Sequence, residues 1–165
     1  MTTSRIDTKR SASFRHLRLE SLDDLLGEVD RIEAAALEGS LVANGNWTAG
    51  QILSHLAAWI EYAYVGFPIK APPFFIRWAL RLQLKKMLDG AMPRGVKIPS
   101  VKGGTTGADD APVQEAAARY RRAIARLKTD EPAPYASPAF GELDDEQRRK
   151  LQLRHAELHL GYLSY

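Results

Sequence analysis

Four segments of this chain repeat apolar residues at helical spacing, and each is bracketed by its own start and stop signals. That pattern predicts an all-α fold, a four-helix bundle with no convincing strand ladder. The first helix is expected at about Leu22 to Leu37. Ser21 suits its N-cap, Asp24 lies three residues on, and Gly39 stands just past its end. Leu22, Leu25, Leu26, Val29 and Ile32 give it one apolar face. The second is expected at about Ala49 to Val65, opened by a Thr48/Gln51 capping box and stopped by Gly66 and Pro68. Its inward arc reads Ile52, Leu53, Leu56, Ala57, Ile60, Ala63 and Tyr64. The third, about Pro112 to Lys128, turns Val113, Ala116, Tyr120, Ile124 and Leu127 inward and Arg119, Arg122 and Arg126 outward. The fourth, about Asp145 to Leu163, starts from Asp144 with Gln147 three residues on.

The connections are unequal. A proline-rich stretch, Glu131 to Gly141, joins the third and fourth helices as an ordered surface connection. Between the second and third lies a long crossover that holds a short extra helix, about Pro73 to Leu88. Its remainder, Asp89 to Ala108, is rich in glycine and proline and reads as a mobile loop. A connection this long can cross the bundle, so the helices it joins need not be antiparallel neighbours. Residues 1–13 read as a flexible tail and 14–165 as a single bundle domain.

Composition narrows the chemistry. The chain has no cysteine, which removes disulfides, thiolate ligands and a cysteine nucleophile. Any transition-metal site must use nitrogen and oxygen donors. The polar, basic start lacks the apolar stretch of a secretory signal, which reads as a cytoplasmic protein and deprives the sequon Asn46-Trp47-Thr48 of meaning. No run approaches the roughly 18 uninterrupted apolar residues of a membrane span. Net charge is +3. From Ile69 to Gly103, Lys70, Arg77, Arg81, Lys85, Lys86, Arg94, Lys97 and Lys102 face a single anion, Asp89.

Histidines carry the clearest chemical signal. His155 and His159 are four apart on the last predicted helix, so both project from one face about a turn apart. Two imidazoles so placed can reach one metal at about 2.0–2.1 Å each. Leu151, Leu158, Tyr162 and Leu163 fall in the same arc, which points the pair toward the expected core. His55, at the margin of the second helix's apolar arc beside Ile52 and Trp59, can complete a set of three. Three protein ligands leave metal positions open, as in catalytic sites. Taken alone, each histidine is more often a satisfied core or boundary residue than a ligand, and His16 lies in a basic terminal stretch with no partner signal.

A resemblance binds the three together. Asn46-Trp47-Thr48-Ala49-Gly50-Gln51-Ile52-Leu53-Ser54-His55-Leu56-Ala57 resembles the second helix of the DinB-like superfamily, and Leu153-Arg154-His155-Ala156-Glu157-Leu158-His159-Leu160-Gly161 resembles its last. Gly90 to Gly95 and Leu19 to Asp23 resemble a branch of it known only as a domain of unknown function. The resemblance spans about residues 14–163. It implies a bundle in which His55, His155 and His159 hold one divalent ion, with zinc, nickel, iron, manganese and cobalt all acceptable to three imidazoles. It also implies a small-molecule substrate, chemistry of the thiol-dependent transferase kind with a low-molecular-weight thiol as cosubstrate, and pairing into a homodimer.

The His155-Ala156-Glu157-Leu158-His159 run is not the zinc-protease motif, whose glutamate position is Ala156 here. Glu157 projects away from the histidine face and is expected in a surface pair or interface contact. Gln51, Tyr62, Tyr162 and Arg94 are candidate pocket-lining, substrate-binding groups by proximity in sequence. The basic helix 73–88 reads first as a helix lying across the bundle with a solvated side. Nucleic acid is not expected, because no recognition motif accompanies the charge. Two alternatives to an enzyme remain: a non-catalytic, metal-stabilised binding module, and a peripheral membrane protein acting through helix 73–88.

Overall fold

The computed structural model describes residues 7–8, 13–99 and 101–165. Most of the predicted flexible tail lies outside them. Among the described residues there are five α-helices: α1 (Leu22–Glu38), α2 (Ala49–Val65), α3 (Phe74–Asp89), α4 (Val113–Leu127) and α5 (Asp145–Leu160). The four long helices pack in a ring, α1 on α4, α4 on α2, α2 on α5 and α5 on α1, while α3 lies outside against α5. The fold is an all-α bundle.

The caps are where the sequence places them. Ser21, Thr48 and Asp144 each accept from the backbone N–H three residues on, and Asp24, Gln51 and Gln147 return the bond. Pro73 and Pro112 stand one residue before α3 and α4. The core draws on Leu25, Val29 and Ile32 of α1, Leu53, Leu56 and Ile60 of α2, Tyr120 and Ile124 of α4, and Leu153 and Leu160 of α5. The contact between α2 and α4 is the most extensive in the bundle, so the long crossover does not separate the helices it joins. It depends on Gly50, where a Cβ would stand 1.9 Å from the Ala111 carbonyl oxygen.

Three expectations need correcting. The last helix ends at Leu160, and Leu163–Ser164 instead forms a short strand (β2) paired antiparallel with Val42–Ala43 (β1). The chain turns there because Arg15 donates its backbone N–H to the Gly161 carbonyl at 2.7 Å and its Nε to the Leu163 carbonyl, tying the entry segment to the end of the bundle. The histidine arc of α5 is not its core face. At about 100° per residue, Leu153, Ala156 and Leu160 lie well round the helix from His155 and His159, and they are the residues in the core.

Glu157 is buried rather than superficial: it accepts the Leu19 N–H at 2.6 Å and pairs with Arg154 at 3.0 Å, while Arg154 donates to the Leu19 carbonyl. Burial disfavours charge on both groups, so the pair persists through these bonds to one backbone residue. The basic helix turns its aromatics outward. Phe74, Phe75, Trp78 and Leu82 are 83%, 59%, 67% and 66% exposed, and Leu84 and Leu88 are its buried residues.

Candidate metal centre

α2 and α5 meet where their histidines face one another. His55, 1% exposed, extends from the middle of α2, and His155 and His159 extend from successive turns of α5. The His55 and His155 Nε2 atoms are 3.1 Å apart, and one nitrogen from each of the three rings lies within 4.8 Å of the others. Two nitrogens bound tetrahedrally to one ion at about 2.0–2.1 Å stand roughly 3.3 Å apart, close to the spacing of the His55 and His155 Nε2 atoms, and the third ring is near enough that the three could hold one ion.

The chemistry of the donors fits as well. His55 Nδ1 lies 2.7 Å from the Thr106 carbonyl oxygen, which accepts and cannot donate. Nδ1 therefore carries the proton, and Nε2 turns its lone pair toward His155 and His159. Burial pushes the His55 pKa down to about 4, against the opposing pull of the Thr106 carbonyl. His155 and His159 are pushed well below the ordinary imidazole range, first by burial and then by their histidine neighbours. All three rings are thus neutral near pH 7, the state in which imidazole binds a metal.

Aromatic rings brace the cluster. Trp47 stacks on His159 with centroids 5.4 Å apart and planes 13° from parallel, and it also contacts His55 at 5.0 Å. Trp59, one turn beyond His55, packs against His155 at 5.6 Å. The loop expected to be mobile supplies the remaining support. It folds back over α2, with Gly107 (φ +79°) pressed so closely on Ala58 and Tyr62 that a Cβ would meet the Ala58 Cβ at 2.6 Å. That approach holds the Thr106 carbonyl against His55. In front of the histidines opens a cavity of about 810 Å³, walled by Trp47, Trp59, Leu158, Lys97 and Tyr162 among others.

The chain belongs to the family described as Protein of unknown function (DUF1569). The match covers residues 11–164. No curated protein and no solved structure matches the chain significantly.

Of the other candidate pocket residues in this DUF1569 chain, Tyr162 lines the cavity, and its hydroxyl donates to the Thr8 carbonyl at 2.7 Å. The side chain of Gln51 is engaged as the return bond of the α2 cap, accepting from the Thr48 N–H at 3.0 Å. Tyr62 packs against Trp59 and Phe67, with its hydroxyl beside Gly107. Arg94 places its guanidinium 4.7 Å over the Phe14 ring, which in turn meets Tyr162 edge-on, one ring removed from the cavity. His16 is exposed on the entry segment and stands apart from the cluster, its ring against Phe14. Sequence reasoning missed Trp47 and Thr106. Trp59 was within reach, because it shares the His55 face at i+4. Thr106 was not, because a carbonyl leaves no residue-type signal and its loop has no periodicity.

Proposed function

We propose that His55, His155 and His159 hold one divalent metal ion and that the chain is a metal-dependent enzyme of the DinB-like type acting on a small molecule. The observation that carries this reading is the orientation of His55. Its outer nitrogen is committed to the Thr106 carbonyl, and its inner nitrogen faces the other two imidazoles. A satisfied core histidine needs no such convergence.

An ion held by three imidazoles acts as a Lewis acid and acidifies a bound water or thiol. The chain's own groups do the remaining work. Thr106 fixes the His55 tautomer, Trp47 and Trp59 fix the ring planes, and the cavity admits a substrate beside the cluster. Among zinc, nickel, iron, manganese and cobalt, the three nitrogens do not choose by affinity alone. Thiol-dependent transfer, with a low-molecular-weight thiol as cosubstrate, is the reaction class that the resemblance favours. The wide cavity in front of the histidines weighs against a closed, purely stabilising metal. The test is a transferase screen on zinc-loaded protein with and without added thiol, beside His155→Ala. Turnover that survives the substitution would end this reading.

A second reading has its own observation. The exposed side chains Phe74, Trp78 and Leu82 recur every fourth residue and form one strip on α3 with Phe75 beside it. No carboxylate side chain occurs from Tyr62 to Leu88, while Lys70, Arg77, Arg81, Lys85 and Lys86 do. Aromatic and basic groups on one short helix suit the interface of an anionic bilayer. No helix among the described residues is long and apolar enough to cross a membrane, so contact here is at the surface. Cosedimentation with phosphatidylserine vesicles, lost in Phe74→Ser/Trp78→Ser and lost with pure phosphatidylcholine, is the expected outcome. Free protein at low salt with both lipids contradicts it.

A further inference from the structure

The cations between Ile69 and Gly103 are sent to different places by the fold. Lys85 pairs with Asp89, Arg81 donates to the Phe140 and Glu142 carbonyls, and Arg94 lies over the Phe14 ring. Among the described side chains, Lys97 is the one cation on the wall of the histidine cavity. Its ammonium has no ion-pair or hydrogen-bond partner among the described residues. The loop fixes where Lys97 stands. Ile98 donates its backbone N–H to the Gly104 carbonyl at 2.7 Å, and Gly104 donates to the Val101 carbonyl at 2.9 Å. This turn lays the Lys97 stem on Gly104 so closely that a Cβ there would stand 2.8 Å from Lys97 Cγ. Gly104, at φ +88°, leaves that room. Thr105, the next residue, also lines the cavity, and its hydroxyl is likewise without a partner among the described residues. Asp7 is the one carboxylate on the wall. It enters beside Thr8, whose carbonyl accepts the Tyr162 hydroxyl, and it is itself engaged.

We propose that this cavity takes a small organic acid whose carboxylate meets Lys97 and Thr105 and whose other end lies at the histidines. The proposal rests on the metal reading only for what holds that other end. One ammonium and one hydroxyl supply a point charge and a further donor, which suits a single carboxylate. The wall between them and the histidines is mainly apolar, with Trp47, Ile52, Trp59, Ile98 and Leu158, and it suits the carbon body of such an acid. An unpaired cation on the wall also draws anions toward the cavity. The cavity opens to solvent, so Lys97 stays hydrated. The advantage of a charged over a neutral ligand is then that of a partly exposed pair, about three- to tenfold.

The test uses hydroxamic acids, which anchor on zinc, carrying a terminal carboxylate on methylene chains of increasing length, beside the matching terminal amides. Zinc-loaded protein is titrated with both series. At the best length the acid is expected to bind about three- to tenfold tighter than its amide, and less so as salt is raised. Lys97→Met keeps an unbranched stem against Gly104 and removes the charge. There the preference should fall below about twofold while the affinity of the amide holds. Lys86→Met removes an equal charge from an exposed position on α3 and should leave the preference intact. Equal binding of acid and amide at every length, a preference undiminished in Lys97→Met, or one lost equally in both variants overturns the proposal. Metal-free protein is titrated in parallel with hexanoate and hexanamide, read from the ligand NMR signals. If zinc fails to bind yet hexanoate is preferred in the wild type and not in Lys97→Met, the anion site stands and the metal reading falls. If zinc binds and no acid is preferred, the anion site falls and the metal reading stands. If zinc fails to bind and hexanoate is not preferred, both fall.

Discussion

Gly107 is the residue on which the geometry of His55 turns, and its substitution by alanine has a calculable outcome. Its φ is +79°, which strains any L side chain by about 1–2 kcal/mol. The new Cβ would also stand 2.6 Å from the Ala58 Cβ and 3.0 Å from the Tyr62 hydroxyl. Relieving that overlap means lifting the loop from α2, and overpacking of this kind costs about 1–3 kcal/mol. The sum, roughly 2–5 kcal/mol, lowers the melting temperature of a chain this size by about 4–20 °C. The same lift carries Thr106 away from His55 Nδ1. Loss of a partner that orients a metal-binding histidine weakens metal affinity by about 10- to 100-fold.

Gly103 supplies the control. Its φ is +83°, but a Cβ there meets nothing within 4 Å. Gly103→Ala should therefore bear the conformational strain alone, about 1–2 kcal/mol, and leave metal affinity unchanged. Thermal unfolding and zinc competition against a chromophoric chelator read both effects. Equal zinc affinities for the two variants would refute the claim that the loop positions His55.

Other expected outcomes follow from packing and charge. Gly50→Ala forces the α2–α4 contact apart at Ala111 and should destabilise the chain by about 3 kcal/mol, whereas Gly27→Ala, with only Arg31 Nη1 at 3.7 Å, should stabilise it by up to about 1 kcal/mol; denaturant midpoints check the contrast. Burial raises the pKa of Glu28, but its bonds to Arg31 and Arg15 outweigh that and hold it below the ordinary carboxylate value. Its contribution is therefore present above about pH 4.5 and is lost as pH falls through the depressed value. Glu28→Ala should cost about 1–3 kcal/mol at pH 7, less than a sealed pair, because the Arg15 and Arg31 side chains are 28% and 58% exposed. The difference from wild type should shrink toward pH 3 in urea titrations.

How much was legible in the sequence depended on whether a signal was local. The capping pairs Ser21/Asp24, Thr48/Gln51 and Asp144/Gln147 act over three residues, and all are present. The faces of α1 and α4 follow from periodicity on helices with one dry side, whereas α2 is covered almost all round and its predicted arc is only part of what it buries. α5 defeats that reasoning because from Leu151 onward it is covered all round. Core residues occupy one side and the histidines the other, with Arg154 and Glu157 buried against the entry segment. No pattern in α5 announces Leu19 as their partner, 135 and 138 positions away. The histidine pair was readable from its i, i+4 spacing, and His55 joined it through resemblance. The contacts of Thr106 and the β1–β2 pairing are long-range, and each depends on where a loop comes to rest.

The central claim is that the three histidines hold a metal ion. The most direct measurement is elemental analysis of untagged protein, purified and then re-equilibrated with zinc, beside His155→Ala/His159→Ala treated identically. About one ion per chain in the wild type, absent from the variant, is the result this account predicts. No bound metal in either, or equal metal in both, would contradict it.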